Sequence, residues 1–225
     1  VAAFGAYRRP IVDHLRLVRL GHWDGEVRGL AASSLGGLVA LEPAYFRDVV
    51  LPDLLGRYAS DDVGERHGVL LGLAEVLRGL ASLDVPVPPG PPSASALREV
   101  VPALEAQRLY RGRGGEAVRA AACRFVECAS RSHAILPLPV ASQVRLLDAL
   151  DGMLVHPNDT VRGAAVPALG ALLAHHFPSA GTGGPSARLR ARVVDRYLDV
   201  LATTDNPASA RGHAAALGAV PARLL

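Results

Sequence analysis

Apolar residues recur along this chain at helical intervals, broken repeatedly by proline, glycine or acidic residues. After Asp24 they fall at Val27, Leu30, Ala31, Leu35 and Leu38, one face of a 3.6-residue period. Phe46, Val49, Val50 and Leu54 make a second stripe. Asp61 and Asp62 can cap a third helix, carried by Val69, Leu70, Leu73, Val76, Leu77 and Leu80. Val144, Leu147 and Leu150 continue the pattern further along. Glu42-Pro43, the run Arg111-Gly112-Arg113-Gly114-Gly115, His156-Pro157-Asn158-Asp159 and the Gly/Pro-rich stretch 177–186 separate the stripes. The spacing predicts ten helices in five antiparallel pairs: 7–20 with 25–41, 44–58 with 63–82, 94–110 with 115–131, 140–155 with 158–176, and 187–203 with 208–224. Pro167 is expected to kink its helix or delay the start of it.

A short phrase opens the second helix of each pair: an acidic residue, a small gap, an arginine, then small and aliphatic residues. It pairs Asp24 with Arg28, Glu65 with Arg66, Glu116 with Arg119 and Asp159 with Arg162, with a weak copy at Arg211. These arginines lie about 38 to 53 residues apart, near the roughly 40–47-residue period of HEAT and armadillo repeats. The acid suits the positive end of a helix dipole. The arginine can meet it at helical neighbour spacing or reach the adjacent repeat. One pair cannot bury its apolar face alone, so neighbours must stack. The expectation is an all-α, HEAT/armadillo-like α-solenoid. Residues 1–83 form two helix pairs, 84–93 a linker with five prolines, and 94–225 three further pairs.

Composition narrows the picture. Half of the 225 residues are hydrophobic but only 4% are aromatic, a mix suited to closely packed helices. All 24 basic residues are arginines. A formal net charge of +3, with no positive stripe along one face, argues against nucleic acid as a partner. No apolar run reaches the ~20 residues that membrane insertion needs. Val1–Gly5 reads as the interior of a longer, cytoplasmic protein. Cys123 and Cys128 do not share a helix face and are expected as buried, reduced thiols.

Candidate chemistry is sparse. No P-loop, HExxH or CxxC occurs, so no catalytic residue, metal or cofactor is expected. His175 and His176 point to different helix faces. Asp148 and Asp151 share a face and are expected to be solvated. Trp23 sits in a turn, either pinning it by packing or standing out as an interface anchor. Arg111 and Arg113 flank a glycine, where they serve loop geometry, hold a phosphate or an acidic tail of a partner, or act in trans on a GTPase.

Four stretches carry a family resemblance. His22-Trp23-Asp24-Gly25-Glu26-Val27-Arg28-Gly29-Leu30-Ala31 resembles a segment of the tubulin-folding cofactor D family. Arg66-His67-Gly68 with Ala74-Glu75-Val76, Arg108-Leu109-Tyr110-Arg111-Gly112 with Gly114-Gly115, and Ala216-Leu217-Gly218-Ala219-Val220-Pro221 match it in the same order. The family's pattern is left at 85–92, at 131–140 and at Pro167. The resemblance implies the C-terminal part of a large helical chaperone, cytoplasmic and cytoskeleton-associated. Such a chaperone binds β-tubulin and works with cofactors C and E and an Arf-like small GTPase. It assembles or dismantles the αβ-tubulin dimer and stimulates GTP hydrolysis by tubulin within a complex. The repeats alone fit a generic HEAT-repeat adaptor for another protein equally well.

Overall fold

The computed structural model describes residues 4–87, 93–177 and 185–224. Among these the chain is all-α. Helix α1 (Gly5–His14) runs on through a wider turn, Leu15–Arg19, closed by Leu20 N–H to Leu15 O at 3.0 Å. Its partner α2 spans Gly25–Leu38. Then come α3 (Pro43–Tyr45), a second wide turn at Phe46–Val50 and α4 (Leu51–Arg57), which together make one continuous helix. The widening sits just ahead of Pro52, whose ring would crowd an ordinary α-turn. α5 (Val63–Ala81) pairs with it. The remaining pairs are α6 (Ser93–Ala106) with α7 (Gly115–Arg131), α8 (Val140–Leu154) with α9 (Asp159–His176), and α10 (Pro185–Thr203) with α11 (Pro207–Ala219).

The second helices stack on one another, α2 on α5, α5 on α7, α7 on α9 and α9 on α11, forming an inner layer. The first helices make a looser outer layer. One buried cluster runs through both, from Val12 to Val220, and α5 packs on α7 across the proline-rich stretch. Within the expected linker, residues 88–92 lie outside the described residues, while Val85 and Val87 pack against the core. The stack explains the composition, because small residues let inner helices approach closely. At Gly79 of α5 a Cβ would press on the Gly36 carbonyl oxygen of α2, and at Gly68 and Gly212 it would overlap the carbonyl oxygens of Leu20 and Leu154, at the ends of the preceding outer helices.

Several expectations are corrected. Leu30 was placed on the apolar stripe of α2 but is 68% exposed. α2 packs on α5 along one flank and has no inner-layer neighbour on the other among the described residues. α9 starts at Asp159 and passes Pro167 unbroken, held by its N-cap and by buried Val161, Ala165, Ala168 and Leu169. Asp151 is buried, not solvated. It accepts the Tyr197 hydroxyl at 2.5 Å and faces Arg196 at 2.7 Å, because α10 lies over it. Cys123 and Cys128 are free, buried thiols, pushed up to about 12 and about 11 by burial. No helix of the described residues is long and apolar enough to cross a membrane.

Candidate partner-binding surface

Four of the five turns from an outer to an inner helix are built the same way; the third is capped by Gly114, which has no side chain to accept. The N-cap side chain accepts from a backbone N–H of its helix: Asp24 from Glu26 at 2.8 Å, Asp62 from Glu65 at 2.8 Å, Asn158 from Thr160 at 2.8 Å, Asn206 from Ala208 at 2.9 Å. The residue two before the cap folds its side chain over the cap's own N–H. His22 and His156 do so through Nδ1 at 3.1 Å, Ser60 at 3.3 Å and Thr204 at 3.2 Å. The sequence shows this device as His-x-Asp, Ser-x-Asp, His-x-Asn and Thr-x-Asn. The acid of the repeated phrase is therefore the cap in only one copy, at Asp24; in the second copy Asp62 caps, not Glu65. In the fourth copy Asn158 caps, and Asp159 is an exposed ion-pair partner of Arg162.

The phrase arginines divide by register. Arg28, Arg66 and Arg162 stand four residues after their caps and curl back onto the carbonyls of their own turns. Arg28 Nη1 donates to His22 O at 2.6 Å and Trp23 O at 3.0 Å. Arg66 donates twice to Ser60 O, at 3.0 and 2.6 Å. Arg162 donates to His156 O at 2.5 Å and Pro157 O at 2.8 Å. Arg119 and Arg211 stand five after theirs and cannot repeat this. Arg119 lies 4.6 Å over the ring of Tyr110, and Arg211 is exposed.

Some of these arginines also tie one turn to the next. Arg28 Nε donates to His67 Nδ1 at 2.9 Å, across to α5. That bond needs a neutral imidazole, and burial followed by the Arg28 charge lowers His67 to about 4. Arg66 Nη1 donates to Leu109 O at 2.7 Å in the third turn. Arg162 and Arg211 line one hollow of about 190 Å³ between the fourth and fifth turns. The five turns lie along one edge of the solenoid as a ridge, tied first to second, second to third, and fourth to fifth.

The third turn is the longest and carries the most charge. α6 ends with Arg108 N–H bonded to Glu105 O at 3.0 Å and Leu109 N–H to Leu104 O at 2.9 Å. This closure places Arg108 at φ +57°, with Gly112 at +88° and Gly114 at +86°. Tyr110 is buried beneath Arg119, and the Leu109 carbonyl is held by Arg66. The backbone is therefore fixed while Arg108, Arg111 and Arg113 stay exposed, without a side-chain hydrogen bond or ion pair among the described residues. Arg108 escaped the sequence reading, because nothing in Gln107-Arg108-Leu109 announces a left-handed residue. The second and fifth turns expose acids instead, Asp61 and Asp205. At the first turn Trp23 is 85% exposed, with the His22 ring beside its own, centroids 5.4 Å apart. The structure therefore puts Trp23 and the arginines on one ridge but not in one patch.

Elsewhere, His133 and His175 meet edge to face at 5.0 Å. His176 is half-buried, has no hydrogen-bond partner at either ring nitrogen, and is lowered by burial to about 4. Among the described residues no group of three or more His, Cys, Asp or Glu could hold a metal ion.

Comparison with known proteins gives a distant likeness. Over 120 residues, 53% of this chain, the sequence is 24% identical to the tubulin-specific chaperone D of Dictyostelium discoideum. The match spans 8% of that protein's length. No family model matches the chain, and no solved structure matches it.

Proposed function

We propose that this chain is a non-catalytic, tubulin-directed segment of a larger chaperone, gripping its client along the turn ridge. The observation that carries the reading is the third turn, where three guanidiniums project from a clamped backbone with no internal partner. Tubulin is strongly acidic, and an arginine display of this kind steers and orients an acidic partner. The distant likeness to tubulin-specific chaperone D supports the same client. Trp23, rigid and exposed at the first turn, adds an apolar anchor at a second point. In this reading β-tubulin is the client, and cofactors C and E with an Arf-like small GTPase complete the working assembly in the cytoplasm. The chain contributes surface to building and dismantling the αβ dimer, and stimulation of GTP hydrolysis belongs to the complex.

Capture of purified αβ-tubulin by the immobilised chain tests this. Reversing three exposed charges together (Arg108→Glu, Arg111→Glu, Arg113→Glu) should reduce bound tubulin at least tenfold, since each contributes on the order of 1 kcal/mol at an interface rim. Trp23→Ala should reduce it less. Undiminished capture by the triple variant would sink the proposal.

A further inference from the structure

We propose that the groove between α8 and α10 is a docking site for an acidic amphipathic helix of a partner protein. The two outer helices run side by side: Val140 and Val144 line one hollow with Arg188, Leu189 and Arg192, and Asp151 meets Tyr197 and Arg196. They join through the Asp151 contacts at one end and leave a cleft along the rest. Two adjoining hollows, of about 240 and 220 Å³, share Val144, Leu189 and Arg192 and so form one trough. From Val140 to Asp151 it covers roughly three helical turns, about 16 Å at 1.5 Å per residue.

The lining defines the occupant. Its floor is aliphatic: Val140, Val144 and Leu147 from α8, Leu189 and Val193 from α10. Val140 and Val144 are left 38% and 36% exposed. Along the α10 wall stand Arg188, Arg192 and Arg196, at i, i+4 and i+8 on one helix face. Arg196 is committed to Asp151, whereas Arg188 and Arg192 are exposed with no hydrogen bond or ion pair among the described residues. The opposite wall carries Asp148. An apolar seam between a basic and an acidic wall fits a helix with apolar residues at i, i+3, i+4 and i+7. Such a helix carries carboxylates on the flank facing α10. A nucleic-acid strand fits worse, because the floor offers no aromatic ring for stacking and the Asp148 and Asp151 carboxylates face the trough.

The test uses the whole chain and a fluorescein-labelled 16-residue peptide with leucines at i, i+3, i+4 and i+7 and glutamates on one flank. Fluorescence anisotropy should show saturable binding, and Arg188→Glu with Arg192→Glu should weaken it at least tenfold. Both arginines are exposed and unpartnered, so this variant should keep its helical circular dichroism. Val144→Asp should weaken binding as well, through the floor. A peptide of the same composition, scrambled to scatter the leucines, should bind at least tenfold more weakly. The Arg111→Glu/Arg113→Glu chain should bind the original peptide normally, separating this groove from the turn ridge. Unchanged affinity in the α10 variant, or equal affinity for the scrambled peptide, overturns the proposal. So does displacement of the peptide by an equal concentration of single-stranded oligonucleotide.

Discussion

Arg66 is 4% exposed and holds carbonyls on two different turns, Ser60 O in its own and Leu109 O in the next. A guanidinium can do this because it carries five donors in a fixed plane and stays charged. Replacing Arg66 with Met keeps much of the packed volume but leaves those part-buried carbonyls without their charged donor. The expected loss is about 2–4 kcal/mol in urea denaturation. Arg211 holds the related place in the last copy yet is exposed, so Arg211→Ala should stay within about 0.5 kcal/mol of the parent. Equal effects at the two sites would show that the clamp does not hold the turns. The arginines themselves were legible as a recurring phrase. Their division was not, because it depends on whether four or five residues separate cap from arginine, and the caps Asn158, Asn206 and Gly114 lie outside an acid-based phrase. Asp151 was misjudged for a related reason: its burial is imposed by Tyr197, 46 residues away.

Element boundaries were more legible, since they follow local chemistry. Caps, prolines and apolar stripes put every helix within a few residues of its place. α6, though, ends at Ala106, before the expected 110, because Arg108 adopts a left-handed turn, and α11 ends at Ala219, before the expected 224, where Val220 turns extended. Packing between elements is where glycine separates local from tertiary preference. In an isolated helix, alanine is favoured over glycine by about 1 kcal/mol. At Gly29 of α2 an added Cβ meets nothing within 4 Å, so Gly29→Ala should stabilise the chain by about 0.5–1 kcal/mol. Gly68 of α5 lies against the Leu20 carbonyl at the end of the first outer helix, and backbone cannot swing aside as a side chain can. There overpacking outweighs propensity, and Gly68→Ala should destabilise by about 1–3 kcal/mol. Thermal unfolding of the two single variants checks the opposite signs. A gain at both positions would mean that α5 does not sit as close to Leu20 as described.

Across the whole molecule, stability in a stack of repeats is the sum of each pair's own stability and its contacts with neighbours. The central helices α5 and α7 are packed on both flanks and carry the densest run of fully buried residues, whereas α2 and α11 bury only a few. The last pair is joined to the body by α11 on α9 and α8, by Arg223 on the Phe177 carbonyl, and by a polar lock beneath α10. In that lock Tyr197, fully buried, donates to Asp151, and the His213 ring packs edge-on against the tyrosine at 5.0 Å. Burial raises the Asp151 carboxyl above its ordinary range, while the tyrosine hydroxyl and Arg196 oppose that rise. Tyr197→Phe keeps the ring and its packing on His213 but removes a hydrogen bond to a buried carboxylate, worth about 1.5–3 kcal/mol. Because repeats couple only to their neighbours, that loss should stay local. Amide hydrogen exchange should then speed roughly ten- to a hundredfold in α10 and α11, the factor corresponding to those energies. α5 and α7 should keep their protection. Uniform acceleration through all five pairs would instead show that the chain opens as one cooperative unit, with the Asp151 lock holding the whole stack and not its last pair alone.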